Sequence, residues 1–261
     1  MKIVFTANIK ENLYNPIVEG FSSAAHVCGF NVIKWDESMK PAWDMAYETS
    51  PDIVVCYKKA SSALTNTSEE YGFKIVVINP EEIDSRPITA YLHRPAANLV
   101  RYRPSKKLND IIAISERQTP ELIHLQQLGL KCFSLKHNLG VPHYLGRLNP
   151  EQVPKEISKS KVYIETNGDT ETMMNSICCG TLPVSLGMGI SEEKTIENIA
   201  EMKSYVKTML SNEKQRLSAI QQTYQRVIEN DTYFHRLRDI MTLTDNEKEA
   251  SLCLEKLGEL V

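Results

Sequence analysis

Residues 165–185, ETNGDTETMMNSICCGTLPVS, set Glu165, Asp169 and Glu171 in a polar loop between two strand-like runs, KVYIET and GTLPVSLG. The carboxyl end of such a strand is where open α/β sheets bind ligands. Acids there also complement the positive end of a following helix, so a structural role stays open. A second constellation is ISERQTPE, residues 114–121, with Ser115 and Arg117 ahead of a helix start at Thr119 and Pro120. A guanidinium forks onto two phosphate oxygens, which a lysine does less well. Arg117 also stands one helical turn from Glu121 and suits an ion pair with it. A third constellation, in residues 84–107, combines three prolines with His93, Arg94, Arg101, Arg103, Lys106 and Lys107. It fits an interdomain connection, a contact to a phosphate backbone, or pairing with some of the chain's own 33 acids.

Bulk properties narrow the field. The chain has 261 residues, 42% hydrophobic and 24% charged, with net charge -3, which is ordinary for a soluble globular enzyme. A dedicated nonspecific nucleic-acid coat normally carries a large positive excess and is not expected. The six cysteines form no CxxC and no zinc-like spacing with histidine, so neither a metal site nor a disulfide framework is indicated. No Asp-x-Asp is present, and no metal or other cofactor is expected. A reduced, cytoplasmic compartment is the simpler expectation. MKIVFTANIK enters a strand-like run directly, without the features of a signal peptide. No run approaches the ~18 apolar residues of a membrane span.

These side chains must be held by something, and the apolar pattern says what. KIVFTA, FNVIKW, DIVVCY and FKIVVIN read as strands. PIVEGFSSAAHVCG, WDMAYET and SALTNTSEEYG read as helices between them, the first and last closed by Gly29 and Gly72. The alternation restarts after residue 107 with DIIAIS, TPELIHLQQLG, KCFSL, HYLGRL as strand or turn, a short helix in NPEQVPKEISKS, and KVYIET. Such alternation predicts an α/β fold with doubly wound parallel sheets. Two Rossmann-like halves are expected, residues 1–104 and 105–241. Ser191, Glu193 and Lys194 open an expected helix to about residue 210, a long one covers 212–241, and 242–261 form an amphipathic end helix with Leu252, Leu254, Leu257 and Leu260 on one side.

Specific residues then match a family. CCGTLPVS, residues 178–185, resembles the Gly-Thr-Pro-Val text of the second domain of GT-B glycosyltransferases, and Asp231, Thr232, Tyr233 and Arg236 resemble the tail of that domain. The resemblance spans most of 105–241. It implies a GT-B-like fold, two Rossmann-like domains facing across a cleft with a helical C-terminal region, an acceptor domain first and a donor domain second. Where the family has a Glu that takes the ribose hydroxyls, this chain has Asn175. An amide also hydrogen-bonds a diol, without charge assistance. By the same resemblance Thr172 and Asn175 face the nucleotide, with Glu165, Asp169 and Glu171 at the rim. Ser115, Arg117 and the backbone of Gln118 and Thr119 meet the diphosphate, and Gly146 and Leu148 in the 146–150 turn meet a uracil edge.

The order of the pieces is similar to that of phage DNA base glycosyltransferases acting on hydroxymethylated cytosine. That implies an acid just past a first-domain strand as general base. Glu81 stands there, with Glu82 and Asp84 behind it, and His93 is a further acceptor-site candidate. The function implied is metal-independent transfer of a sugar from a nucleoside diphosphate sugar, UDP-linked, to a hydroxyl, with 5-hydroxymethylcytosine in double-stranded DNA as acceptor and Arg94, Arg101 and Arg103 on the DNA backbone. For a phage-encoded chain the compartment is the host cytoplasm. Two alternatives stand beside it: a polysaccharide, lipid or small-molecule acceptor, and a noncatalytic nucleotide-sugar binder, which Asn175 favours. Fold alone does not decide among them.

Overall fold

The computed structural model describes residues 1–7, 16–81, 88–136, 138–141, 143–187 and 195–261. The chain divides into two units, Met1–Arg94 with Tyr233–Val261, and Pro95–Thr232.

In unit 1 the strands are β1 (Lys2–Ala7), β2 (Asn31–Asp36), β3 (Ile53–Tyr57), β4 (Lys74–Ile78) and β5 (Ile88–Tyr91), joined through α1 (Pro16–Val27), α2 (Ala42–Thr49) and α3 (Ser62–Tyr71). They form one parallel sheet in the order β2-β1-β3-β4-β5. Ile3 and Val4 lie opposite Ile53 and Val54, and all four are buried, as in a sheet covered on both faces. One core cluster joins Val4, Val54, Cys56, Ile75 and Val77 to Met45, Ala46 and Leu64 of α2 and α3. Strand β5 was not expected. It is four residues long, sits at the sheet edge and falls inside the proline-marked stretch that reads as a connection.

Unit 2 contains β6 (Asn109–Ile114), α4 (Pro120–His124), β7 (Leu130–Ser134), β8 (Tyr144–Arg147), α5 (Val153–Ser158), β9 (Ser160–Glu165), α6 (Thr170–Cys178), β10 (Leu182–Ser185), α7 (Ile199–Ser211) and α8 (Glu213–Asn230). Its parallel sheet runs β10-β9-β6-β7-β8. A core of Ile111, Val162, Ile164, Leu182 and Val184 packs with Met202 and Val206 of α7 and Ile220 of α8. Helix α7 starts at Asn198, whose side chain accepts the Glu201 N–H at 2.9 Å. The expected opening at Ser191, Glu193 and Lys194 lies outside the described residues.

The helix expected over 212–241 is two helices. Helix α8 stops at Asn230, and α9 (Tyr233–Leu243) belongs to unit 1 with α10 (Glu247–Leu260). Between them Thr232 bridges Ala97 in parallel, and the Ala97 N–H donates to the Asp231 carbonyl at 2.7 Å. A strand-like bridge cannot continue a helical ladder, so the helix ends where the chain returns to unit 1. In α10 the buried stripe is Ala250, Cys253 and Leu257, whereas Leu254 is exposed; the helix presents a different edge from the leucine-rich one. The division therefore falls earlier than the expected 104/105 and 241/242, and 242–261 packs within unit 1 through α9 and α1.

Lys107 ties the ends of α5 and α6 in unit 2 together. Its ammonium donates at 2.8 Å to the carbonyls of Ser158 and Cys179, at the ends of α5 and α6, and to the Thr181 hydroxyl. Terminal helix carbonyls lack intrahelical partners, so a cation suits them. Lys107→Met is expected to cost about 1–3 kcal/mol by leaving those acceptors unpaired. Burial pulls the Lys107 pKa down to about 8 from 10.5. Between those values the unfolded chain binds more protons than the folded one, so this group's contribution to stability rises with pH. Urea melts of the native protein and Lys107→Met from pH 7 to 10.5 test both: the gap between them widens across that interval.

Candidate functional site

The order of the unit 2 strands reverses between β6 and β9, and such a reversal leaves a crevice at the carboxyl ends. Two loops meet there. Ser115, directly after β6, is 1% exposed; its N–H donates to the Phe133 carbonyl at 3.0 Å. Its hydroxyl accepts from the Thr166 hydroxyl at 2.9 Å and donates to the Arg117 carbonyl at 2.8 Å. Asn167 donates from its amide to the Ile114 carbonyl at 3.4 Å, so the ends of β6 and β9 are joined twice. Arg117 and Gln118 are exposed. Among the described residues no ion pair joins Arg117 to Glu121. Thr119 stands at the N-cap position of α4 but makes no capping bond with its side chain.

The acid loop is differently arranged from expectation. Glu165 is not at a rim: it is 2% exposed and accepts from the Tyr163 hydroxyl at 2.9 Å and from the Asn167 N–H. Burial pushes its pKa up, and these hydrogen bonds pull the other way. Asp169 caps α6, accepting the N–H groups of Glu171 at 3.0 Å and Thr172 at 3.2 Å, and the Thr172 hydroxyl also donates to it. Thr172 is thus tied into the cap. Asn175 is 6% exposed, and its side-chain oxygen accepts the Asn98 N–H at 2.7 Å, fastening the incoming 95–102 segment. That oxygen is committed to the fold. Asn175→Ala is expected to lower stability by about 1–3 kcal/mol, which thermal melts check.

Gly146 and Leu148 flank the end of β8, the edge strand, with β7 between it and β6. Leu148 is buried, and its N–H donates to the Ser134 carbonyl at 2.8 Å. Gly146 has φ 124°, a backbone shape that glycine permits. Of the basic residues in this segment, Arg103 and Lys106 are exposed, and Arg101 and Lys107 are half-buried.

In unit 1, Glu81 follows β4 and is exposed. Its carboxylate pairs with Lys58 at 3.0 Å, and its N–H donates to the Lys58 carbonyl at 3.0 Å. Lys58 and Asn79, at the ends of β3 and β4, both have left-handed backbones, φ 69° and 50°. Asn79 accepts the His93 N–H at 2.8 Å. The His93 ring stacks on Tyr233, centroids 5.6 Å apart, with Phe21 edge-on at 5.7 Å, and both ring nitrogens are buried. His93 is a packing residue in this arrangement. Arg94 is exposed, 3.9 Å from Asp239, and its carbonyl accepts from Arg236 at 3.2 Å. Asp84 and Glu82 lie outside the described residues. The matched tail residues are interior ones, with Thr232, Tyr233 and Arg236 each at most 1% exposed. Among the described residues no three His, Cys, Asp or Glu side chains come together as metal ligands, and no helix is long and apolar enough to cross a membrane.

Sequence reasoning missed Thr166, Asn167 and Lys58. Each acquires its place through a partner far along the chain, Thr166 through Ser115, 51 residues away, and no local signal marks it.

The fold is that of GT-B glycosyltransferases: two Rossmann-like units, each with a parallel five-stranded sheet, and a helical C-terminal region. Similar solved structures include an alpha-glucosyltransferase in complex with UDP and a 13-mer DNA containing a HMU base, at TM-score 0.57 and 12% identity over 94% of this chain and 99% of that one. The Anabaena protein HepE in complex with UDP is similar at TM-score 0.54 and 10% identity, over 96% and 99%. Spinosyn forosaminyltransferase SpnP follows at 0.51 and 11%, over 94% and 99%. No family model and no curated protein sequence matches the chain.

Proposed function

We propose that this protein is a glycosyltransferase moving a sugar from a UDP-linked donor to a hydroxyl acceptor. The observation that carries the reading is the Ser115–Thr166 bridge at the strand-order reversal of unit 2, with an exposed guanidinium on the same loop. Rossmann-type sheets bind nucleotides at such reversals. In this reading unit 2 takes the donor and unit 1 the acceptor. Arg117 and the N–H groups of Gln118 and Thr119 neutralise the departing diphosphate without a metal ion, and Gly146 and Leu148 meet the base. Glu81 accepts the proton of the attacking hydroxyl, with the Lys58 ion pair orienting its carboxylate; Asp84 is the second candidate for that role.

The acceptor in this proposal is 5-hydroxymethylcytosine in duplex DNA, with Arg94, Arg101 and Arg103 on phosphates. Similar structures bound to DNA together with UDP or UDP-glucose support it. A noncatalytic nucleotide-sugar binder is the second reading, favoured by Asn175, whose oxygen is held by Asn98.

Thermal shift with a panel of nucleoside diphosphate sugars, followed by nucleoside diphosphate release with and without hydroxymethylated duplex, tests all of this. Stabilisation by a UDP-sugar and sugar-labelled DNA are expected. Transfer to free sugars or lipid but not to DNA moves the acceptor. Binding without release leaves a binder, and no stabilisation by any donor removes the reading.

A further inference from the structure

Buried polar side chains nearly always have a hydrogen-bond partner, and a group of exceptions calls for an explanation. One short segment of unit 2, residues 116–126, holds four buried atoms without a partner among the described residues: Glu116 Oε2, Thr119 Oγ1, Glu121 Oε2 and Gln126 Nε2. Two of them lie on the loop between β6 and α4, next to Ser115 and Arg117. Thr119 is 7% exposed, and its hydroxyl does not take the capping bond that its position offers. The fold gains nothing visible from either group, yet both are taken out of water, which is unfavourable unless a ligand completes them.

The chemistry of the two atoms selects the ligand. A carboxylate oxygen only accepts, whereas a threonine hydroxyl both donates and accepts. Neighbouring sugar hydroxyls supply a donor to the first and either partner to the second, and the bond to the carboxylate is charge-assisted. An ionised phosphate has no hydrogen to give the Glu116 carboxylate oxygen, which only accepts. A metal ion lacks a third carboxylate, histidine or cysteine among the described residues. The side-chain oxygen of Asn175 is already held by the Asn98 N–H at 2.7 Å.

We propose that Glu116 and Thr119 bind a vicinal pair of hydroxyls on the donor, from the ribose of its nucleotide or from its hexose. This rests on the donor-binding reading above. Thr119→Val and Glu116→Gln remove or weaken the contacts without removing a bond that the fold uses. They carry an unusual signature: the ligand-free protein gains stability as an unpaired buried group is replaced, Tm rising by roughly 2 °C in Thr119→Val, while affinity falls.

Calorimetric titration of the full chain with UDP, 2′-deoxy-UDP and UDP-glucose tests this. The native protein is expected to prefer UDP over 2′-deoxy-UDP by about 10-fold, the size of one good hydrogen bond, and the variant at the residue that holds the 2′-hydroxyl to bind the two alike. If the preference instead lies between UDP-glucose and UDP and the variants abolish that, the hydroxyls are the hexose's and the assignment of Glu116 and Thr119 holds. Variants that retain every native preference overturn it, with UDP binding and the donor reading intact. A native chain that binds none of the three ligands fails at the earlier step, and both readings fall.

Discussion

On the donor-binding reading proposed above, Arg117→Ala is expected to lower kcat/KM for a UDP-sugar by about 100-fold or more. A developing diphosphate depends on fixed donors, and loss of one such donor typically removes that much rate. The same loop also offers the backbone N–H groups of Gln118 and Thr119, but a forked guanidinium contributes two charge-assisted bonds where each N–H contributes one. The control is built into the fold. Arg117 is exposed and makes no ion pair with Glu121 among the described residues, so alanine there changes stability by no more than about 0.5 kcal/mol. Arg117→Lys recovers part of the rate, since a point charge does not reproduce the fork. Steady-state kinetics of the three proteins beside their melts decide the matter. Kinetics unchanged in Arg117→Ala take this residue out of the site.

Gly20→Ala unfolds or severely weakens unit 1. A Cβ on Gly20 would overlap Cε2 and Cζ of Tyr233, so α1 and α9 cannot keep their distance around it. The ring has little freedom to move aside. Tyr233 is 1% exposed, stacks on His93, and meets Phe21 edge-on with centroids 5.2 Å apart. Overpacking a close-packed interior costs about 1–3 kcal/mol when side chains can shift; here the neighbours are rings in contact, and about 3 kcal/mol or more is expected. Adding Tyr233→Ala to Gly20→Ala removes the clash, so the double substitution costs less than the sum of the singles. Denaturant titration of the four proteins measures that coupling. Strictly additive losses argue against the clash.

Both expectations involve residues whose importance differs in how it is encoded. Arg117 is legible from its type and its place between a strand and a helix start. Gly20 looks like an ordinary glycine inside a helical run, and only the approach of Tyr233, more than two hundred residues later, makes it special. The same contrast runs through the candidate site. The resemblance places Glu165 at the rim and Thr172 and Asn175 toward a nucleotide. In the fold they bind Tyr163 and Asn167, Asp169, and Asn98 respectively. Hydrogen-bonding capacity is a property of the side chain, but the partner that fills it is chosen by packing. The Lys107 ammonium is likewise committed to helix ends.

What the order of residues determined by itself was the succession of strands and helices. Short β-branched runs such as KIVFTA, DIVVCY and DIIAIS read as buried strands, and Gly72 with φ 77° ends α3 where a side chain would be strained. Local sterics and apolar periodicity act over a few residues, so they are readable locally. Tertiary structure alone decided the strand orders, the break at Thr232 that returns α9 and α10 to unit 1, and the meeting of Ser115 with Thr166. Those depend on contacts between segments far apart in the chain, whose free energy comes from burial and pairing that exist only once the sheets have formed.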